Sequence, residues 1–372
     1  MKLSCQKQAL TDCLSRVMRA VSSKASAIAA LEGVLLEASG NQLKLTGYNL
    51  DMGITTTMFA ACEEDGAVVL NASLLFDLVK RLPEDQLSLS VDEKCTALIV
   101  SGESEFSIVG IDAVEYPELP AVTEGTEIEL EASMLKGMAE QILFAVAVND
   151  DARPINTGVL FSIEEHFIRM AAVDGYRLAI REESVFCDQR LRFVVPGKTL
   201  SEITKMIDQE KEKETIRISV GRRKILFVYG GMTVISSLLE GEFIDYEAAI
   251  PKTAVTTVRV GTRTLIDMIE RISPLITDRL KTPVRCIFED NQIRASCTTA
   301  VGKGHDQCSC VSEGERIEIG FNNRYLLDAL RASETDEVKI ELAGSLSPIK
   351  ILPLEGNSFL FLVLPVRLKH EG

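Results

Sequence analysis

Apolar positions along this chain follow two spacings that recur in a fixed order. Leu10, Cys13, Leu14 and Val17 fall at i, i+3, i+4 and i+7, the stripe of an amphipathic helix that buries one face. The same stripe returns at Leu135, Met138, Ala139 and Ile142, and again at Leu265, Met268, Ile269 and Ile272. After each stripe comes an apolar run, a short polar turn and an alternating apolar/basic segment. These are "GVLLEASGNQLKL" from 33, "GVLFSIEEHFIRM" from 158 and "PVRCIFEDNQIRA" from 283, two steps of 125 residues. That pattern predicts a β-hairpin.

A second helix is predicted three times, at 71–82, 196–207 and 321–333. It carries an acid at Asp77, Glu202 and Asp328 and a base at Lys80, Lys205 and Arg331. Short strand-like runs such as "ALIVSG", "ILFVYG" and "VISSLL" fill the intervals. A period near 125 is domain-sized, unlike the 20–50 residues of a solenoid unit. The expectation is three similar α+β domains, 1–124, 125–252 and 253–372, each with two helices and two sets of antiparallel strands. Their boundaries are read from "LPAVTEGTE" (119–127) and "IPKTAVTT" (250–257). Three like domains in a row expose unlike ends, and contact between such ends either polymerises or closes a ring.

Composition narrows the function. The 372 residues are 46% hydrophobic but only 5% aromatic, with no Trp, so no base-stacking platform is visible. No apolar run approaches the roughly 20 residues that span a bilayer. The start "MKLSCQKQAL" lacks the apolar core of a secretory signal, and nine scattered cysteines fit a reducing cytoplasm. The formal charge of −15 argues against a uniformly DNA-binding surface. Its distribution changes that picture: the six helical windows sum to a positive charge and the remainder is strongly acidic.

Catalytic motifs are missing from the sequence: there is no phosphate-binding P-loop, dinucleotide fingerprint, His-Glu-x-x-His or nucleophile elbow. His305 with Cys308 and Cys310 lacks the second ligand pair of a zinc site. Asp150-Asp151 beside Arg153 reads as a turn. The expectation is therefore a non-enzymatic protein with no cofactor and no metal.

Phe106-Ser107-Ile108, "VDGYRLAI" (173–180), "EGEFIDYEAAIP" (240–251), "GFNNRYLLDAL" (320–330) and the ending "LPVRL" (364–368), in this order on three domain copies, resemble the bacterial sliding clamps, the beta subunits of DNA polymerase III. The resemblance covers the whole chain. It implies a head-to-tail homodimeric ring of six domains, with helices facing a central hole and sheets outside. The ring encircles duplex DNA without reading its sequence and confers processivity on the replicative polymerase by tethering it. The alternative is an acidic repeat scaffold that gathers protein partners with no DNA inside.

By the same resemblance, Lys24, Lys80, Arg153, Lys198 and Lys205 approach phosphates. Phe106 and Ile108 meet Leu275 and Ile276 of a second copy, with Glu103 and Glu105 near Lys303. Short apolar peptides of the polymerase, the clamp loader and repair proteins dock in a pocket. Asn156, Val173, Gly175, Tyr176, Arg177 and Leu178 form one side, and Ile244 and Ala249 the connection. Pro348, Leu362, Val363, Leu364, Pro365, Val366, Arg367 and Leu368 complete it. Asn156, Ile244 and Ala248 depart from the apolar residue, proline and basic residue common there, and "KHEG" extends past the usual end. The run "FLFLVLPVRL" (359–368) is read as a strand that Pro365 stops, because proline cannot donate to a ladder.

Overall fold

The structure is a computed structural model that describes residues 1–22, 27–208, 214–276 and 282–368. The six expected helices are present: α1 (Lys7–Val17), α2 (Ala72–Arg81), α3 (Ala132–Ile142), α4 (Gly197–Met206), α5 (Thr262–Ile272) and α6 (Asn323–Ala332). All twelve stripe residues of α1, α3 and α5 are buried, as one-faced packing requires. Asn71 and Asn322 cap α2 and α6, accepting the backbone N–H groups of Leu74 and Arg324.

The three hairpins also form: Gly33–Ser39 with Gln42–Tyr48, Gly158–Ile163 with Phe167–Val173, and Val284–Glu289 with Gln292–Thr299. The last closes through Asp290 and Asn291, both at positive φ, the two-residue turn that matches strand twist. Every strand pair among the described residues is antiparallel.

Two compact units result, residues 1–135 with 202–238 and residues 136–201 with 239–372. The first unit holds a five-stranded sheet that ends at Ser104–Val109, and an eight-stranded one. The eight-stranded sheet is continuous because Met232–Ser237 pairs with Met52–Phe59, placing Val234 opposite Ile54. The second unit holds a four-stranded sheet that ends at Gly302–Ser309, and a nine-stranded one. In the latter Phe359–Val363 pairs with Arg177–Ser184, placing Phe361 opposite Ala179. The first and second unit therefore each contain one large sheet made by joining strands from different repeats. The core of each lies between its sheets and the apolar helix faces.

Candidate functional site

The apolar ending is divided between two sheets of the second unit. Phe359, Phe361, Leu362 and Val363 are buried in the nine-stranded sheet. Leu364 N–H still reaches Tyr176 O at 2.9 Å. Pro365 has no N–H to give, and the ladder stops there. One residue later Val366 N–H donates to Gly320 O at 2.8 Å, on the edge of the four-stranded sheet. Gly320 is required by this crossing, since a Cβ there would stand 2.5 Å from Val366 O and 2.8 Å from Leu368 Cδ2. Leu364 and Val366 are left about a third exposed, at 37% and 36%, while Arg367 is exposed. The residues of "KHEG" lie outside the described residues.

The expected pocket residues divide into floor and rim. Leu178, Leu362 and Val363 are buried in the chain's own core; Leu178 and Leu362 are cross-strand partners on one face of the sheet, and Val363, opposite Arg177, is on the other. Leu178 and Leu362 join Ile155, Phe243 and Tyr246 in one apolar cluster, with Val173 packed against it. Ile155 and Phe243 also line an open cleft of about 410 Å³ bounded by Arg153–Asn156 and Glu240–Asp245. Ile244 is 41% exposed at its lip. Ala249 ends a short 3-10 turn, and Pro348 precedes the strand Ile349–Leu352, half-buried.

On the rim, Asp174 Oδ1 accepts the N–H groups of Tyr176 and Arg177, and Gly175 supplies the positive φ (86°) that this tight turn needs. Arg177 is already engaged within the chain. Its Nε donates to Asp174 at 2.9 Å and its Nη1 to Asp328 at 2.5 Å. Its guanidinium lies between the rings of Tyr325 (4.6 Å) and Phe144 (5.4 Å). Tyr176, 60% exposed, stacks on Tyr325. Asp174, Phe144, Tyr325 and Asp328 are thus site residues that sequence reading missed. Asp328 had a signal, as the recurring acid of the second helix, but its partner lies 151 positions away.

Among the expected phosphate contacts, Lys80, Arg153, Lys198 and Lys205 are all exposed; Lys24 lies outside the described residues. Lys80 sits over the Phe76 ring. Lys205 pairs with Glu202 at 2.8 Å, and Glu202 also takes Arg19 of the turn after α1 at 2.7 Å. Burial opposes ionisation of Glu202, but the hydrogen bonds from Lys205 and Arg19 outweigh it and hold the carboxyl below its ordinary range. Asp150 caps a turn, as expected: its two oxygens accept from Arg153 N–H and Asn156 Nδ2. Cys308 is a buried thiol, pushed up to about 11 by burial.

The residues expected at a subunit contact lie on or beside two sheet-end strands. On Ser104–Val109, Phe106 is 42% exposed, whereas Ile108 is only 5% exposed. Ile108 belongs to its own unit's core, opposite Ala97, so Phe106 alone of the two presents apolar surface. Leu275 and Ile276 follow α5, half-buried. Leu275 lies on the strand Gly302–Ser309, where a Cβ on Gly304 would come within 2.7 Å of its Cδ1.

Comparison with known proteins agrees with this geometry. Residues 1–120, 129–245 and 247–367 match, in order, the N-terminal, central and C-terminal domains of the DNA polymerase III beta subunit. The chain belongs to the DNA polymerase III beta subunit family. It has the three-domain fold of that family and the function of a sliding clamp. The beta sliding clamp of Synechococcus elongatus is 32% identical, with 99% of this chain and 100% of the relative covered. The crystal structure of the Bacillus subtilis DNA polymerase sliding clamp superposes with a TM-score of 0.95 at 30% identity, over 99% and 100% of the two chains. A Bartonella birtlesii clamp bound to griselimycin superposes with a TM-score of 0.93 at 28% identity, over the same shares. Family membership leaves the acidic-scaffold reading without support. No helix of the described residues is long and apolar enough to cross a membrane.

Proposed function

We propose that two copies of this chain close head to tail into a ring around duplex DNA and tether the replicative polymerase there by its docking peptide. One observation carries this reading. The strands Met52–Phe59, Arg177–Ser184 and Gly302–Ser309 each begin 125 residues after the last. The first two are paired within the chain, with Met232–Ser237 and Phe359–Val363. The third is the end of its sheet, and so is Ser104–Val109, the counterpart of Met232–Ser237 in the first repeat. Each chain therefore has one junction half made at each end, and joining them between two copies repeats a pairing the chain already makes twice.

The register follows. Tyr229 pairs with Met232 and Ser101 with Ser104 at the equivalent hairpins, so Phe106 corresponds to Val234. Val234 lies opposite Ile54, whose third-repeat counterpart is Gly304. Phe106 of one copy then faces Gly304 of the other and lies against Leu275, and Ser107 faces Lys303. Capping both sheet ends also removes two aggregation-prone edges. Ser107→Cys combined with Lys303→Cys should give a disulfide-linked dimer under mild oxidation, since facing residues bring Cβ atoms within about 4.5 Å. A cross-link that forms equally well with Cys one position to either side argues against this register.

The ring needs no reaction chemistry. DNA is held loosely by Lys24, Lys80, Arg153, Lys198 and Lys205 through phosphates alone, while the −15 overall charge limits non-specific sticking. The groove above Ile155, Leu178 and Leu362, flanked by Leu364 and Val366, takes short apolar peptides of the polymerase, the loader and repair proteins. Retention on nicked circular plasmid and loss on linearisation test encirclement.

A further inference from the structure

The cleft between 153–156 and 240–245 is uneven in charge. Glu240, Glu242 and Asp245 line it, against Arg153 alone. Glu242 and Asp245 are exposed and form no ion pair among the described residues. Beneath this rim lies Asn156, 7% exposed. Its Nδ2 donates to Asp150 Oδ2 at 2.9 Å. A carboxylate only accepts, so this bond fixes which end of the amide faces Asp150. The other end, Oδ1, is buried and has no hydrogen-bond partner. A buried acceptor left unmet is costly, and whatever satisfies it stabilises the state in which it does so.

Both features ask for the same chemistry. The rim is rich in anions, the orphan atom is an acceptor, and Ile155, Phe243 and Ile244 supply apolar wall. A side chain that carries several N–H donors on an aliphatic stem matches all three. An acidic side chain would meet Glu242 and Asp245 with only Arg153 in its favour. The segment 240–245, one wall of the cleft, contains no helix or strand.

We propose that this cleft receives a lysine or arginine of the docking peptide, next to the apolar residues that occupy the groove. The inference rests on the peptide-docking reading above and adds the charge of the partner segment to it.

The test uses the full-length chain and short labelled peptides of leucine and phenylalanine. A single lysine is moved through the peptide, and each is matched to a norleucine version of nearly equal length. In one register the lysine peptide should bind about fivefold more tightly at low salt, the reach of a single solvent-exposed ion pair. Glu242→Gln with Asp245→Asn should bring that ratio close to one while leaving the norleucine affinity unchanged. Asn156→Leu should lower it in part. Equal affinity of the two peptides in every register overturns the proposal. So does a lysine preference that survives the double substitution, which would report only the acidic surface as a whole. A glutamate series that binds more tightly than norleucine also overturns it. Failure of every peptide to bind is a separate result, and refutes the docking reading itself.

Discussion

Single residues here owe their roles to partners distant in sequence. Arg177, expected only as one of the pocket residues, is held by Asp174 and Asp328 and contacts the rings of Phe144 and Tyr325. Asp328→Asn should cost about 1 kcal/mol, below the full value of a charged hydrogen bond because Asp328 is 37% exposed. Chemical denaturation measures that loss, and peptide titration should show weaker docking as the Tyr176–Tyr325 stack loosens. Glu202 makes a pH prediction. Its folded-state carboxyl lies below the ordinary range, so its contribution is present at neutral pH and lost as pH falls through the lowered value. Glu202→Gln should lower the melting temperature at neutral pH, and the gap from the parent should close on acidification. A gap that widens in acid contradicts the assignment. Among the thiols, burial pushes Cys5 and Cys286 up to about 12. Iodoacetamide at mildly alkaline pH should therefore modify Cys187, which is half-buried in a loop, well before either, as peptide mapping will show.

At the scale of elements, the terminal strand and the connection before the third repeat build the groove together. Phe359–Val363 is fixed by pairing on both sides, with Arg177–Ser184 and Ile349–Leu352. Beyond Pro365, a single bridge at Gly320 is the backbone pairing found among the described residues. Deleting 364–372 should leave dimerisation and encirclement intact and weaken an apolar docking peptide at least about tenfold, some 1.4 kcal/mol. Unchanged affinity would remove the tail from the site. The connection is latched from below. Arg169 on the strand Phe167–Val173 donates to Glu182 and to Glu247 at 3.3 Å, tying the turn Glu247–Ala249 to the sheet. Losing that latch by Arg169→Met should raise hydrogen exchange in 240–250 while the strands stay protected.

For the whole molecule, closure of the proposed ring would depend on few apolar atoms. Phe106 is the exposed anchor on one edge and Leu275 backs Gly304 on the other. Leu275→Ala with Ile276→Ala should yield a folded monomer, since burying each such side chain contributes roughly 1.5–3 kcal/mol. A double variant that remains dimeric at nanomolar concentration by sedimentation would refute the interface. Phe106→Ala should likewise give monomer with its melting temperature preserved. Ile108→Ala should instead lower stability by about 2–5 kcal/mol, because that side chain fills its own unit's core.

By itself the sequence determined the repeat, the six helices, the three hairpins and the turn at Asp150. Each depends on local periodicity or on a side chain bonding backbone a few residues away. It also carried the family, because motif order survives where individual residues change. Tertiary structure decided what the repeats do differently. The second-helix acid and base recur in all three copies, yet Glu202 pairs with Lys205, Asp77 with Arg81, and Asp328 with Arg177. Phe106 and Ile108 share one face of a strand, yet only the position beyond the end of the core is left exposed. Periodicity states which way a side chain points; what meets it there includes a neighbour on the same helix for Glu202 and Asp77, but is a residue 151 positions away for Asp328, brought close only by folding.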